Sequence, residues 1–180
     1  MSLPAYRPTA RALHWMVAIL LLATIPAGAV MVQEGLPRWL QNTLFIFHKN
    51  IGVVILFLVV LRLAFRATFP PPPMPDSVPT LQQKIARLTH AILYVLLIVM
   101  AVSGYVRVTA GGFPLEALDA LMVPRPLPKS DAVAEVAKSI HFYTRFALIG
   151  VILLHILAAL FHGFVRKDGV FSRMWPSSGR

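Results

Sequence analysis

Four long apolar runs, separated by short polar or proline-rich stretches, dominate the pattern along this chain. Residues 12–32, 44–65, 88–106 and 140–165 each suffice for a helix of about 20 residues, the length that crosses a bilayer. Pro26 and Gly28 predict a kink or thin point in the first run. Residues 33–43 read as a short polar loop holding Pro37. Pro70 to Pro73 and Pro75 cannot occupy a helix interior and predict a stiff polyproline connector. Residues 82–87 form a polar lead-in to the third run. Residues 114–122 carry a weak helical pattern through Leu115, Leu118 and Leu121, which Pro124, Pro126 and Pro128 then break. No internal repeat is visible. The expected fold is an all-α membrane protein, a four-transmembrane-helix up-and-down bundle forming a single domain over residues 1–180.

Composition agrees: 57% of residues are hydrophobic and 13% charged, with mean hydropathy +0.71, whereas a soluble domain carries roughly 25% charged residues. The absence of cysteine excludes disulfides, iron–sulfur clusters and thiolate ligands. The opening segment MSLPAYRPTARALHW runs into the first span without a small-residue cleavage site, so we expect it to be retained. The net charge of +10 is explained better by bilayer orientation than by nucleic acid. Placing the N-terminus inside puts ten Lys and Arg, from Arg7 to Arg180, on the cytoplasmic side. Seven fall outside: Arg38, Lys49, Arg107, Arg125, Lys129, Lys138 and Arg145. Both termini are expected in the cytoplasm, with the chain in a bacterial inner membrane.

Ionisable side chains inside a span are costly and read as functional by default. The fourth run carries His141, His155 and His162. Fourteen residues separate the first two, a spacing that returns to within about 40° of one helix face and climbs about 21 Å. His48, in the first turns of a second span entered from outside, lies level with His141. His14, opening the first span from inside, lies near the level of His155. The histidines thus fall into two pairs at two depths: His48 with His141, and His14 with His155.

Two imidazoles per level, with no thiolate or carboxylate, suit a haem iron held on both axial sides in a bundle interior. Gly28, Gly52 and Gly150 would give a flat macrocycle room. Zinc wants four ligands, and copper a sulfur or third ligand, a reading that Met16 and Met100 keep open. His90 and His162, near the inner pair in depth, could hydrogen-bond a quinone, carry its protons, or face lipid headgroups. Arg7, Arg11, Arg87 and Arg145 are either topology anchors or partners of haem propionates.

The segments Arg11-Ala12-Leu13-His14-Trp15, His48-Lys49-Asn50-Ile51-Gly52, Leu61-Arg62-Leu63, Leu88-Thr89-His90 to Tyr94, and His141 with His155 followed by His162 resemble the bacterial cytochrome b561 family. These are small four-helix di-haem b proteins, and the resemblance covers nearly the whole chain. In the wider family, which includes cytochrome subunits of formate dehydrogenases and hydrogenases, the first, second and fourth spans supply the ligands. The resemblance therefore implies two haem b groups, with His14 and His155 on the inner iron and His48 and His141 on the outer. It also implies exchange of electrons with ubiquinone, and one branch oxidises superoxide at the outer face. Lys49, Lys138 and Arg145 would steer the anion, and His14, His90 and His162 would lie near the quinone. The alternatives are a haem-bearing anchor that relays electrons for a peripheral redox subunit, and a haem-free transporter of metal or protons.

Overall fold

Prolines and one serine set where the long helices begin. The computed structural model describes residues 5–125 and 127–175. Residues 1–4, Pro126 and residues 176–180, and with them Arg180 of the charge count and one of the expected helix breakers, lie outside the described residues. Helix α1 (Pro8–Val30) starts on a proline, whose missing N–H is one orphan donor fewer in the first turn. Helices α2 (Arg38–Thr68) and α3 (Thr80–Ala110) each follow a proline in extended conformation, Pro37 and Pro79. A short helix α4 (Glu116–Ala120) fills the loop after α3, where the weak leucine pattern lies. Ser130 caps α5 (Asp131–Leu160), its hydroxyl accepting from the Val133 N–H at 3.4 Å. A π-helical turn (Phe161–Arg166) continues α5 and stops at Lys167, which turns into the left-handed region at φ 52°.

The described residues form helices only, and four of these helices are long and apolar enough to cross a membrane. They run past the apolar spans. Residues 38–43, expected in a loop, are the first turns of α2, and residues 131–139 extend α5 ahead of its apolar run. At 31 residues each, α2 and α3 measure about 46 Å against about 30 Å of bilayer hydrocarbon, so their polar ends stand in or beyond the headgroups.

Helix α1 packs on α2, α2 on α3, and α3 on α5, whereas α5 makes no close backbone approach to α1 or α2 among the described residues. A seam therefore runs along the bundle between α5 and the first two helices. At mid-height side chains close it: Leu148 of α5, 2% exposed, joins Leu13, Val17, Ile55, Leu58, Val59 and Leu97. Leu148 lies seven residues from both His141 and His155, about 10 Å along the axis from each. The apolar layer thus separates two levels of imidazole. Phe57, Leu153 and Leu157, each more than half exposed, face outward and suit lipid.

Past α5 the chain turns back over the end of the bundle where α1 begins. Trp15 Nε1 donates to the Met174 carbonyl at 2.9 Å, and the Tyr6 N–H to the Arg173 carbonyl at 3.2 Å. Arg173, 3% exposed, donates to the carbonyl of Pro72 in the proline connector at 2.9 Å. Residues 167–175 therefore cap this end, tied to both α1 and the connector.

Candidate functional site

The seam holds the four histidines that depth alone pairs. His14 of α1 and His155 of α5 have ring centroids 6.2 Å apart with planes at 77°. His48 of α2 and His141 of α5 are also 6.2 Å apart, at 80°. Two imidazoles on opposite sides of one metal, each at a metal–nitrogen bond of about 2 Å, have centroids about 6 Å apart. No group of three or more His, Cys, Asp or Glu among the described residues could hold a metal ion, so a tetrahedral zinc site finds no third ligand. The donor set and the seam between backbones fit an axially ligated haem.

The outer pair is anchored from behind. His48 Nδ1–H donates to the Thr24 carbonyl of α1 at 3.0 Å, and His141 Nδ1–H to the Met100 carbonyl of α3 at 3.0 Å. Ser103 Oγ lies 3.3 Å from the same His141 nitrogen and donates to Met100 O at 3.0 Å. With Nδ1 committed, Nε2 is the nitrogen left for a metal. Four residues beyond each accepting carbonyl stands a glycine. A Cβ on Gly28 would lie 2.5 Å from His48 Cε1, and one on Gly104 would lie 3.1 Å from His141 Cε1. Gly28 thus gives room to an imidazole, where a macrocycle was expected. A Cβ on Gly52 or Gly150 would meet no protein atom within 4 Å. Met100 serves the outer pair through its backbone oxygen.

At the inner level His90 joins the pair, its ring 5.5 Å from His155. Arg62 donates to Tyr94 Oη at 2.8 Å, and its charge acts on both His14 and His155. Arg107 acts likewise on His48 and His141. These two arginines, read from the sequence only as topology markers, are the ones that reach both members of a pair. Of the expected propionate partners, Arg7 stacks on Phe69 at 4.2 Å, Arg11 donates to the Trp175 carbonyl at 3.2 Å, and Arg87 is exposed. Arg145 lies over the rings of Phe142 and Phe146, and its charge also reaches His141.

Two of the three expected steering cations have carboxylate partners. Lys49 pairs with Glu116 at 2.8 Å and donates to the Pro114 carbonyl at 2.7 Å. With Asn50, which donates to Glu116 at 2.7 Å, it docks α4 against the start of α2. Burial pushes the Glu116 carboxyl up, but the hydrogen bonds from Lys49, its own N–H and Asn50 hold it below its ordinary value. Lys138 pairs with Glu135 one turn earlier, at 3.0 Å.

His162, at the π-helical turn, is tied to the tail: its Nδ1 lies 2.6 Å from Asp168 Oδ2, which also accepts from Arg166 Nε at 3.1 Å. Burial pushes the Asp168 carboxyl up, but His162, the Val170 N–H and the Arg166 charge together hold it below its ordinary value. Its contribution to stability is therefore full above the ordinary aspartate value of about 4 and is lost as pH falls through the lower folded value. Asp168→Asn should cost about 1–3 kcal/mol at neutral pH and flatten the acidic limb. The check is the melting temperature in detergent from about pH 6 down to pH 3; identical profiles for parent and variant would rule out this anchoring.

Residues 5–177 match the family model for prokaryotic cytochrome b561. The chain is 31% identical over 174 residues to cytochrome b561 homolog 2 of Escherichia coli (strain K12), covering 96% of this chain and 92% of that protein. It is 29% identical over 164 residues to the probable superoxide oxidase CybB of Yersinia pestis, covering 91% and 92%. A further relative is cytochrome b561 homolog 1 of Escherichia coli (strain K12), 29% identical over 168 residues, covering 91% and 93%.

Proposed function

The chain belongs to the prokaryotic cytochrome b561 family, haem-b-binding electron-transfer proteins of the bacterial membrane, and from that premise we propose that it is a di-haem superoxide:ubiquinone oxidoreductase. The observation that carries the reading is the pair of imidazole pairs, both at 6.2 Å, on either side of the Leu148 layer. When bound, haem supplies one-electron redox chemistry that no side chain of this protein offers. His48 and His141 would hold the iron of one haem, and His14 and His155 that of the other, leaving the edge of each group as the place where substrate would meet it. Both termini lie in the cytoplasm of an inner-membrane protein, as the charge count favours.

In the overall reaction two superoxide anions release two electrons and leave as dioxygen, and one ubiquinone takes two electrons and two protons. The name of the Yersinia pestis relative supports superoxide as the donor. His90, whose ring is 5.5 Å from that of His155, and His162, seven residues beyond His155 on the same helix, would hold or pass the protons that quinone reduction consumes.

The test is reduction of the purified, haem-loaded protein by a superoxide source, followed spectroscopically, with ubiquinone then added as acceptor. Haem that ignores superoxide but is reduced by a co-purifying dehydrogenase subunit would turn the reading to an electron-relay anchor. Steering can be tested separately. Lys138→Glu with Arg145→Glu should slow superoxide-driven reduction about tenfold at low salt and weaken its salt dependence. Because Lys138 already pairs with Glu135, Arg145 should carry most of the effect. An unchanged low-salt rate would remove this face from the entry path.

A further inference from the structure

The two imidazole pairs match in separation and differ in what stands behind them. Both outer rings donate Nδ1–H to a backbone carbonyl at 3.0 Å, and no hydrogen bond reaches a ring nitrogen of His14, His90 or His155 among the described residues. The outer anchors share one construction on two different helices. Thr24 on α1 and Met100 on α3 supply the carbonyl, and Gly28 and Gly104, one turn on, let the ring lie against the helix. An imidazole that donates through Nδ1 carries more electron density at Nε2, is the more basic ligand, and stabilises the higher oxidation state of the metal it holds.

We infer that the Thr24–Gly28 and Met100–Gly104 cradles are positioning devices that give the outer haem the lower reduction potential of the two. The inference rests on the bis-histidine reading above and goes beyond it, because that reading is silent on direction. With both haems bound, transfer of one electron from the outer to the inner group would be downhill, the outer group being oxidised as the inner is reduced, with no proton moved.

Each level has an arginine whose charge reaches both of its rings, Arg62 at the inner level and Arg107 at the outer. Arg145 adds positive charge beside His141 and by itself would raise the outer potential. It acts from a partly exposed position on the rings of Phe142 and Phe146, where water screens it, whereas the two carbonyls touch the ligands directly.

The test is a spectroelectrochemical titration of full-length haem-loaded protein, parent beside Gly104→Ala, with haem counted per chain. The added methyl would stand 3.1–3.2 Å from His141 Cε1 and Nδ1, so the ring must give by a few tenths of an ångström and loosen its bond to Met100 O. The expected result is two redox waves in the parent, with the variant raising the lower wave and leaving the upper one in place. If Gly104→Ala expels the outer haem instead, the wave that disappears should be the lower one. Movement or loss of the upper wave, or two unshifted waves at full haem content, overturns the ordering and leaves the bis-histidine reading standing. Absence of haem from the parent overturns both.

Discussion

Replacing His155 with alanine should leave the protein with one b-type haem instead of two, and His14→Ala should remove the same centre. His48→Ala and His141→Ala should each remove the other. The expectation follows from geometry: each of these four rings has one partner 6.2 Å away across a seam that no backbone contact closes. A ligand lost from one level cannot be supplied from the other, because the apolar layer around Leu148 lies between them. His90 could blur the result, standing 5.5 Å from His155, so the inner variants should be tested with His90→Ala as well. Reduced-minus-oxidised spectra with haem per chain are the measurement. Ring planes at 77° and 80° add a second signature. Crossed imidazoles leave two iron d orbitals almost equal in energy, so both oxidised centres should give strongly anisotropic low-spin paramagnetic resonance signals. If His141→Ala and His155→Ala removed the same centre, the pairing would be wrong.

Gly28→Ala should be nearly as severe at the outer level, although glycine binds nothing. A methyl there would sit 2.5 Å from Cε1 and 2.8 Å from Nδ1 of His48, contacts that real structures do not tolerate. The obstacle is a rigid ring pinned by its own hydrogen bond, so relief requires His48 to leave the Thr24 carbonyl or α1 to shift away from α2. Loss of a partner behind a metal ligand typically weakens binding about 10- to 100-fold. Affinity for the outer haem should fall by at least about tenfold, with the inner centre intact and helical content by circular dichroism unchanged. Gly104→Ala, whose methyl meets His141 at 3.1 Å, should be clearly milder. A Gly28→Ala protein with full haem and a native spectrum would show that His48 is not held against α1.

The contrast between those two glycines shows what hydropathy and spacing could and could not reveal. Four spans were legible because membrane helices must be apolar over their whole length, and the pairing because rise per residue converts sequence spacing into depth. The carbonyls behind His48 and His141 left no trace, since every residue has one. Gly104 looked like any small residue in an apolar run, and Gly28 drew notice only as a thin point beside Pro26 and as room for a macrocycle. Counting basic residues for orientation treated Arg62 and Arg107 as markers, and only the three-dimensional arrangement shows whose charge reaches a pair. The start of α5 at Asp131 was missed although Val133, Val136, Ala137 and Ile140 recur at helical spacing, because Asp131, Glu135 and Lys138 interrupt the continuous apolar run by which a span is marked. The tail beyond Lys167 has no periodicity, so neither the Asp168 contact to His162 nor the burial of Arg173 could be anticipated.

The described part of that tail brings the chain back to its first helix. Tyr6 and Arg173 share a backbone hydrogen bond, and Trp15 reaches Met174, so the first and last described segments meet on one side of the bilayer. Segments that meet in this way are what circular permutation joins. A short linker across this junction, with a new opening cut in the 31–37 turn, would keep all four spans and change only the order in which they leave the ribosome. The present order delivers α1, α2 and α3 first and α5 last, so both histidine pairs stay incomplete until the final helix is made.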